Sequence, residues 1–235
     1  MFKTVPTKFF LLSNNGARVI ASLVMASFIS TSAHADISLG LRAGLLGAGV
    51  EVVKPLKKTL NLRLAAYGYD YDYDVVESGN EWDFALELAG TGFLIDWHPF
   101  DSGFRASVGF LANSTNMAGL LTDGSSFDLN GETYQASDIG RLEAKVVLGS
   151  GAPYFGIGWG YQPGEMGFGY LLDIGVLFQD DPDVTLTLVQ TAALPAGLDA
   201  ATIAADLRAE EQSLENELES LNIYPVISLG LSYTF

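Results

Sequence analysis

Apolar and polar side chains alternate along most of the chain after residue 36. The pattern is clearest in residues 223–235, where Leu229, Leu231 and Tyr233 alternate with small or polar residues. A period of two residues places successive side chains on opposite faces of a β-strand. The segment is therefore predicted to be a strand with one apolar face.

Further segments of this kind are separated by turn residues, and together they predict an all-β, antiparallel transmembrane β-barrel of eight to ten strands. Ten strands are favoured, at residues 37–45, 48–53, 59–73, 81–97, 104–113, 139–148, 154–161, 167–178, 184–189 and 223–235. The first two could form one bulged strand, and one further merge would then give eight. An even number puts both chain ends on the periplasmic side, with tight turns at residues 55–58, 101–103, 149–151 and 179–182.

The apolar face changes phase within two predicted strands. Leucines at even positions in residues 60–64 give way to tyrosines at odd positions in residues 67–73, and residues 82–88 differ in the same way from residues 93–97. The change predicts either β-bulges or strands that run past the lipid boundary.

Alternation alone does not separate a soluble sandwich from a membrane barrel. Around Phe155, Ile157 and Trp159, the opposite strand face carries only glycine. A glycine-lined face leaves room for neighbouring side chains in a narrow lumen, whereas it would leave voids in a soluble core. This pattern favours the barrel.

Two features lie outside the strand pattern. Residues 200–221 have leucine and isoleucine at helical spacing among many glutamates, which predicts an acidic amphipathic helix before the last strand. The helix could lie on the barrel rim, dock on a partner, or bind divalent cations that bridge lipopolysaccharide phosphates, and the rim is favoured. Asn130-Gly131 between short alternating arms predicts a β-hairpin.

The first 35 residues have the features of an export signal. Basic residues precede an apolar run from Val19 to Ile29, and Ala33 and Ala35 flank a predicted cut before Asp36. The run of eleven residues is too short for a transmembrane helix, which needs about 20. Residues 36–235 are then one barrel domain in the outer membrane of a Gram-negative bacterium, in contact with its lipid and lipopolysaccharide.

Charge excludes one class of partner. Without residues 1–35 the chain keeps nine basic against twenty-eight acidic residues, a net charge of −19. Nucleic acid is therefore excluded as a partner, because its phosphates require a basic surface. The chain has no cysteine, so packing and hydrogen bonds alone hold the fold.

If the apolar faces look outward to lipid, charged side chains collect in the lumen. The candidate luminal charges are Arg42, Arg63, Arg105, Arg141, Lys145, Glu51, Asp83, Glu87, Glu143 and Asp173. A barrel of eight strands is nearly filled by its side chains. The candidates therefore form either a narrow charged conduit or a closed, salt-bridged plug.

Residues 67–74 place four tyrosines on one strand face and three aspartates on the other. The aspartates lack the glycine and the distant glutamate of an EF-hand loop, so no metal site is assigned. An aromatic belt with solvated acids beyond it is favoured over a site for a metal, a sugar or a basic peptide.

No enzyme and no cofactor are predicted. His98 is the only histidine after residue 36 and falls at a predicted periplasmic turn. Barrel lipases, proteases and lipid A deacylases resemble one another in using a histidine base at the outer side, so the predicted periplasmic position of His98 does not match these enzymes. No nucleophile, base and orienting group can be named together.

The chain resembles small proteobacterial outer-membrane proteins similar in architecture to OmpA-type, OmpW-type and CarO-type barrels. The resemblance rests on Asp96-Trp97-His98-Pro99-Phe100, residues 153–160 and the ending at residues 224–235. It implies that Tyr233 and Phe235 form a signal read by the outer-membrane assembly machinery. It also implies passage of small solutes.

Two functions remain open from the sequence. One is a narrow channel for small solutes. The other is a closed structural or adhesive barrel that acts through its outer loops and helix.

Overall fold

The computed structural model describes residues 37–77, 80–100, 102–121, 126–149, 151–162, 166–189, 194 and 198–235. The predicted export signal, residues 1–35, lies outside the described residues. Within the described parts, no helix has both the length and the apolar character needed to cross a membrane.

Twelve strands and two helices make up the described fold. The strands are β1 (Ser38–Gly44), β2 (Gly47–Lys57), β3 (Leu60–Glu77), β4 (Asn80–Trp97), β5 (Phe104–Leu121), β6 (Ser126–Leu129), β7 (Glu132–Gln135), β8 (Arg141–Leu148), β9 (Gly151–Trp159), β10 (Gly167–Phe178), β11 (Asp183–Val189) and β12 (Ile223–Thr234). The helices are the short α1 (Ala136–Ile139) and α2 (Ala200–Leu218), which is the predicted helix before the last strand.

Eight of the described strands close into an antiparallel ring, in the order β1-β2-β3-β4-β5-β9-β10-β12 and back to β1. Ser38 pairs with Thr234, and the backbone N–H of Phe235 donates to the carbonyl of Ile37 at 3.1 Å. Both chain ends therefore lie at one end of the barrel, called the terminal end. The opposite end is called the far end.

All ten predicted strands are present in one sheet, but β8 and β11 are not part of the ring. Residues 104–112 of β5 pair with β9, and residues 115–120 pair with β8, so β8 and β9 follow each other in the same direction along β5. The predicted turns at residues 149–151 and 179–182 are therefore wrong, because the chain continues toward or from the far end there. Alternation does not reveal whether a break between strands is a reversal or a continuation.

The phase change in β3 and β4 comes from strands that leave the lipid, not from bulges. The pairing of β3 with β4 and of β4 with β5 is unbroken in register. Phe93 and Trp97 point outward and are half exposed, whereas Trp82 and Phe84 stack at 5.9 Å on the opposite face. In the far part of the sheet, apolar side chains thus point inward, because water replaces lipid outside.

The outer surface of the ring is an apolar belt with aromatic residues at its edges. Its most exposed members, Phe168 and Tyr170, are 89% and 84% exposed. At the terminal end Trp159 packs edge-on against Phe104 at 5.2 Å, and Tyr233 against Phe235 at 5.0 Å. A continuous belt of this kind is stable only against hydrocarbon, so the ring is a bilayer-spanning barrel.

A hydrophobic core lies beyond the ring at the far end. It is formed between the end of β5 and residues 126–148, 183–189 and 200–222, and these three ranges are together called the cap. Its buried side chains are Leu121, Phe127, Leu129, Tyr134, Ala136, Ile139, Leu142, Val184, Leu186 and Ile203. Leu207, Leu214 and Leu218 of α2 pack against this core, so the apolar stripe of the helix is covered by the far end of the sheet.

Candidate functional site

Six charged side chains meet inside the ring, among the residues that the structure describes. They are Arg42, Glu51, Arg63, Asp96, Arg105 and Asp173, together called the ion layer. Their side chains are between 0 and 11% exposed. Three guanidinium groups face three carboxylates, so the layer is neutral when all six are ionised.

Asp173 on β10 is the acceptor shared by all three arginines. Arg105 donates from Nη2 to Oδ2 at 2.7 Å, Arg63 lies at 3.5 Å, and Arg42 Nη1 contacts the same oxygen. The three arginines belong to β1, β3 and β5, which lie on different sides of the ring from β10. The contacts therefore span the lumen from wall to wall.

Arg63 on β3 links the other two carboxylates. Its guanidinium donates to Asp96 Oδ1 at 2.8 Å and to Glu51 Oε1 at 3.3 Å, and Arg42 donates to Glu51 Oε2 at 2.7 Å. Ser107 Oγ donates to Asp96 at 2.6 Å. Charge pairs removed from water need such additional contacts, and these hydroxyl and carboxylate contacts supply part of them, while Arg63 Nε and Asp96 Oδ2 are buried without a hydrogen-bond partner among the described residues.

Tyr161 covers the ion layer from the terminal end. Its hydroxyl donates to Glu51 at 3.0 Å, and the guanidinium of Arg105 lies 5.3 Å from the centre of its ring. The turn that brings the aromatic side chain of Tyr161 into the lumen has a positive φ at Gly160 (116°) and at Tyr161 (55°). A positive φ is uncommon for a residue with a Cβ, such as Tyr161. The surrounding contacts hold Tyr161 in this conformation.

His98 lies just beyond β4, also at the terminal end of the lumen. Asn61 Nδ2 is 2.8 Å from the carbonyl of Tyr161 and 3.1 Å from His98 Nε2, so this nitrogen of His98 accepts. Burial lowers the pKa of His98, which favours the neutral ring. The histidine therefore belongs to the closed terminal end of the lumen.

On the far side of the ion layer, apolar residues narrow the lumen again. Leu94, Leu111, Tyr154 and Val226 form this second level. A cavity of about 60 Å³ lies between the two levels. It has room for about four water molecules, far less than a continuous pore needs.

Of the ten candidate luminal charges, the structure places Arg42, Glu51, Arg63, Arg105 and Asp173 together in the ion layer. The other five, Asp83, Glu87, Arg141, Glu143 and Lys145, lie on the opposite sheet face, beyond the ring. Their prediction as luminal charges is wrong. In the part of the sheet outside the bilayer, the apolar neighbours Trp82 and Leu142 point inward to the cap core, which turns these charges outward.

Asp96 was missing from the predicted charges although it is the least exposed carboxylate of the layer. It stands between Ile95 and Trp97, which both belong to the outward apolar face, so the alternation of β4 does point it inward. The phase change within the same strand concealed this signal.

The acidic residues of α2 are largely used inside the cap. Glu211 accepts the backbone N–H of Leu186 at 2.8 Å, and Glu215 accepts that of Val184 at 3.3 Å. Both amides belong to the free edge of β11. An amphipathic helix is expected to keep its acidic face in water. This expectation is wrong for Glu211 and Glu215, because their carboxylates cover a strand edge that would otherwise present unpaired N–H groups.

Asp206 anchors α2 to the β6–β7 hairpin and makes the docking sensitive to pH. Tyr134 Oη donates to it at 2.6 Å and Asn130 Nδ2 at 3.1 Å. These bonds lower the pKa of Asp206, and the bond to Asp206 raises the pKa of Tyr134 to about 12. Because the pKa of Asp206 is lowered in the folded protein, the ionised carboxylate stabilises the docked helix at pH values above the ordinary carboxyl pKa of about 3.9. This stabilisation is lost as the pH falls through the pKa of the folded state.

We therefore expect the helix to undock from the hairpin in acid, at pH values below about 4. Trp82, which packs on the cap core, reports this by its fluorescence in a protein whose Trp97 and Trp159 are phenylalanine. The Asp206→Asn variant should show a weaker acid transition, and Glu217→Gln on the exposed helix face should not. Identical acid profiles for Asp206→Asn and the unchanged protein would refute this role.

The Tyr-Asp run of β3 is divided between the two sheet faces. Tyr69, Tyr71 and Tyr73 stack in a row on the inner face at 6.1 and 5.6 Å, so they do not form the predicted lipid-facing belt. Asp70 and Asp74 lie on the outer face, opposite other carboxylates of β4. Within the described ranges, no three acidic or histidine side chains are arranged to hold a metal ion.

No family model matches the chain, and no curated protein matches it. Two solved structures from Acinetobacter baumannii are similar to it. CarO has a TM-score of 0.54 and 16% identity, with 85% of this chain and 98% of that chain covered. CarO2 has a TM-score of 0.56 and 15% identity, with 86% and 100% covered. The predicted antiparallel barrel of CarO type is confirmed as a fold.

Proposed function

We propose that this chain, which has the fold of the CarO barrels, is a closed barrel of the outer membrane that acts through its cap. The observation that carries the proposal is the ion layer. Its contacts cross the lumen, and Asp96 and Arg105 are fully buried within it. An eight-stranded ring leaves no space around such a layer for a hydrated solute.

The position of the cap supports a role at the cell surface. Barrels of the outer membrane have short periplasmic turns and longer outer connections. Here the two longest connections between strands of the ring, from β5 to β9 and from β10 to β12, lie at the far end and carry the cap. In this proposed orientation the cap lies beside lipopolysaccharide and the medium, and we propose that it acts there by contacting other molecules.

A narrow channel, the other function that the sequence leaves open, requires the ion layer to part. Opening would leave carboxylates such as Asp173 without their guanidinium partners in a space poor in water. The closed state is therefore the resting state of the barrel.

We expect no discrete conductance steps when the folded protein is inserted in planar bilayers at neutral pH. Flotation of the same preparation with vesicles confirms insertion, and the heat-modified band on gels confirms folding. Repeated steps of uniform size from folded, inserted protein would overturn the proposal in favour of the channel.

A further inference from the structure

Three of the exposed basic side chains lie in a single short segment at the terminal end. Lys54, Lys57 and Lys58 belong to the end of β2 and the turn that follows it. Three arginines of the chain are already paired with carboxylates inside the ion layer. On a protein with an excess of acidic residues, this segment is a local concentration of positive charge at the membrane boundary.

A β-bulge turns two of these lysines to the lipid side of the wall. Lys54 pairs with Leu62, Pro55 with Asn61 and Lys57 with Leu60, and the register shifts between Pro55 and Lys57. Asn61 is buried in the lumen, so the side chains of the residue pairs on either side of it point outward. Without the extra residue, Lys57 would face the lumen, since side chains alternate along a strand.

The neighbours of these lysines are those of a membrane interface. Leu60 also pairs with Trp97, which is 54% exposed on the outer surface, and Leu62 pairs with Ile95. Tryptophan at this position is typical of the level of the lipid headgroups. The lysine stems can lie along the apolar wall while their ammonium groups reach the headgroups.

No carboxylate of the described residues lies within 4 Å of any of the three ammonium groups. A charged side chain on the lipid face is unfavourable near hydrocarbon unless it reaches water or an anionic group. Phosphate is the group present at this level. We propose that Lys54, Lys57 and Lys58 form a docking site for anionic phospholipid headgroups.

This choice of occupant rests on the proposed orientation: it is a phospholipid and not lipopolysaccharide, because the segment lies at the end opposite the cap, which that orientation puts at the periplasmic leaflet. Each basic side chain near an anionic surface favours binding about fivefold. The site therefore holds anionic lipid in the shell around the barrel and fixes the depth of the terminal end in its leaflet.

Quenching of Trp97 by brominated lipids tests the proposal directly, in a protein whose Trp82 and Trp159 are phenylalanine. The protein is reconstituted in phosphatidylcholine with increasing brominated phosphatidylglycerol, and compared with brominated phosphatidylcholine. We expect at least about fivefold preference for phosphatidylglycerol at Trp97. Both leaflets have the same composition, so the result does not depend on the direction of insertion.

The variant Lys54→Gln, Lys57→Gln, Lys58→Gln should bring the preference close to one, and replacement of all three by arginine should retain it. Lys145→Gln, which removes a lysine from the outer face of β8, is the matched control and should change nothing. If the glutamine variant does not fold, added salt should weaken the preference of the unchanged protein. Equal quenching by the two lipids, or a preference that survives the glutamine substitutions or salt, would overturn the proposal.

Discussion

Replacing Arg105 with alanine should destabilise the folded barrel by about 3–5 kcal/mol, because it leaves a buried carboxylate without its partner. Arg105 donates to Asp173 at 2.7 Å and to the carbonyl of Gly160 at 3.0 Å, and it lies 3.7 Å from Asp96. Its loss changes the charge of the ion layer from zero to −1. Denaturant unfolding in detergent micelles, followed by the heat-modified band, measures the change.

The double variant Arg105→Ala, Asp173→Asn tests whether charge balance is the cause. It leaves Arg42 with Glu51 and Arg63 with Asp96, so both remaining pairs keep their partners. We expect the double variant to be more stable than Arg105→Ala alone. Lys145→Ala on the cap surface should stay within about 0.5 kcal/mol of the unchanged protein. An Arg105→Ala variant as stable as the unchanged protein would show that the charge balance of the ion layer does not stabilise the folded barrel.

The strands were predictable because alternation is a local property. Each predicted strand corresponds to a strand of the ten-stranded sheet, and the hairpin at Asn130-Gly131 is present as β6 and β7. The closure of eight strands was not predictable in the same way. It depends on β5 being long enough to pair with β9 and β8 in succession, which is a property of pairing between distant segments.

The luminal charges divide at the point where the wall leaves the bilayer. Arg42, Arg63 and Arg105 lie within the lipid-facing ring, where an apolar outer face forces polar side chains inward. Glu143 and Lys145 follow the same alternation in β8, but there the apolar side packs on the cap core and the charges face water. One pattern thus has opposite meanings on the two sides of a boundary that the sequence does not mark.

The pattern of charge in α2 does not predict which groups its acidic side chains contact. Its spacing predicted an apolar stripe, and Ile203 and Leu214 do pack on the core. The carboxylates of Glu211 and Glu215 were expected in water, yet they accept backbone N–H groups of β11. A free strand edge beside the helix cannot be inferred from the helix itself.

A barrel in the proposed orientation displays its cap to the medium. Labelling of introduced cysteines tests this directly, because the chain has no cysteine of its own. Gln212 lies on the exposed face of α2, and Lys58 lies in the turn at the terminal end. A cysteine is placed at one of these positions at a time. Intact cells are treated with a membrane-impermeant maleimide, before and after the outer membrane is permeabilised.

The orientation proposed here places these two positions on opposite sides of the outer membrane. Gln212→Cys should therefore be labelled on intact cells, and Lys58→Cys only after permeabilisation. Labelling of Gln212→Cys only after permeabilisation, or of Lys58→Cys on intact cells, would contradict this orientation.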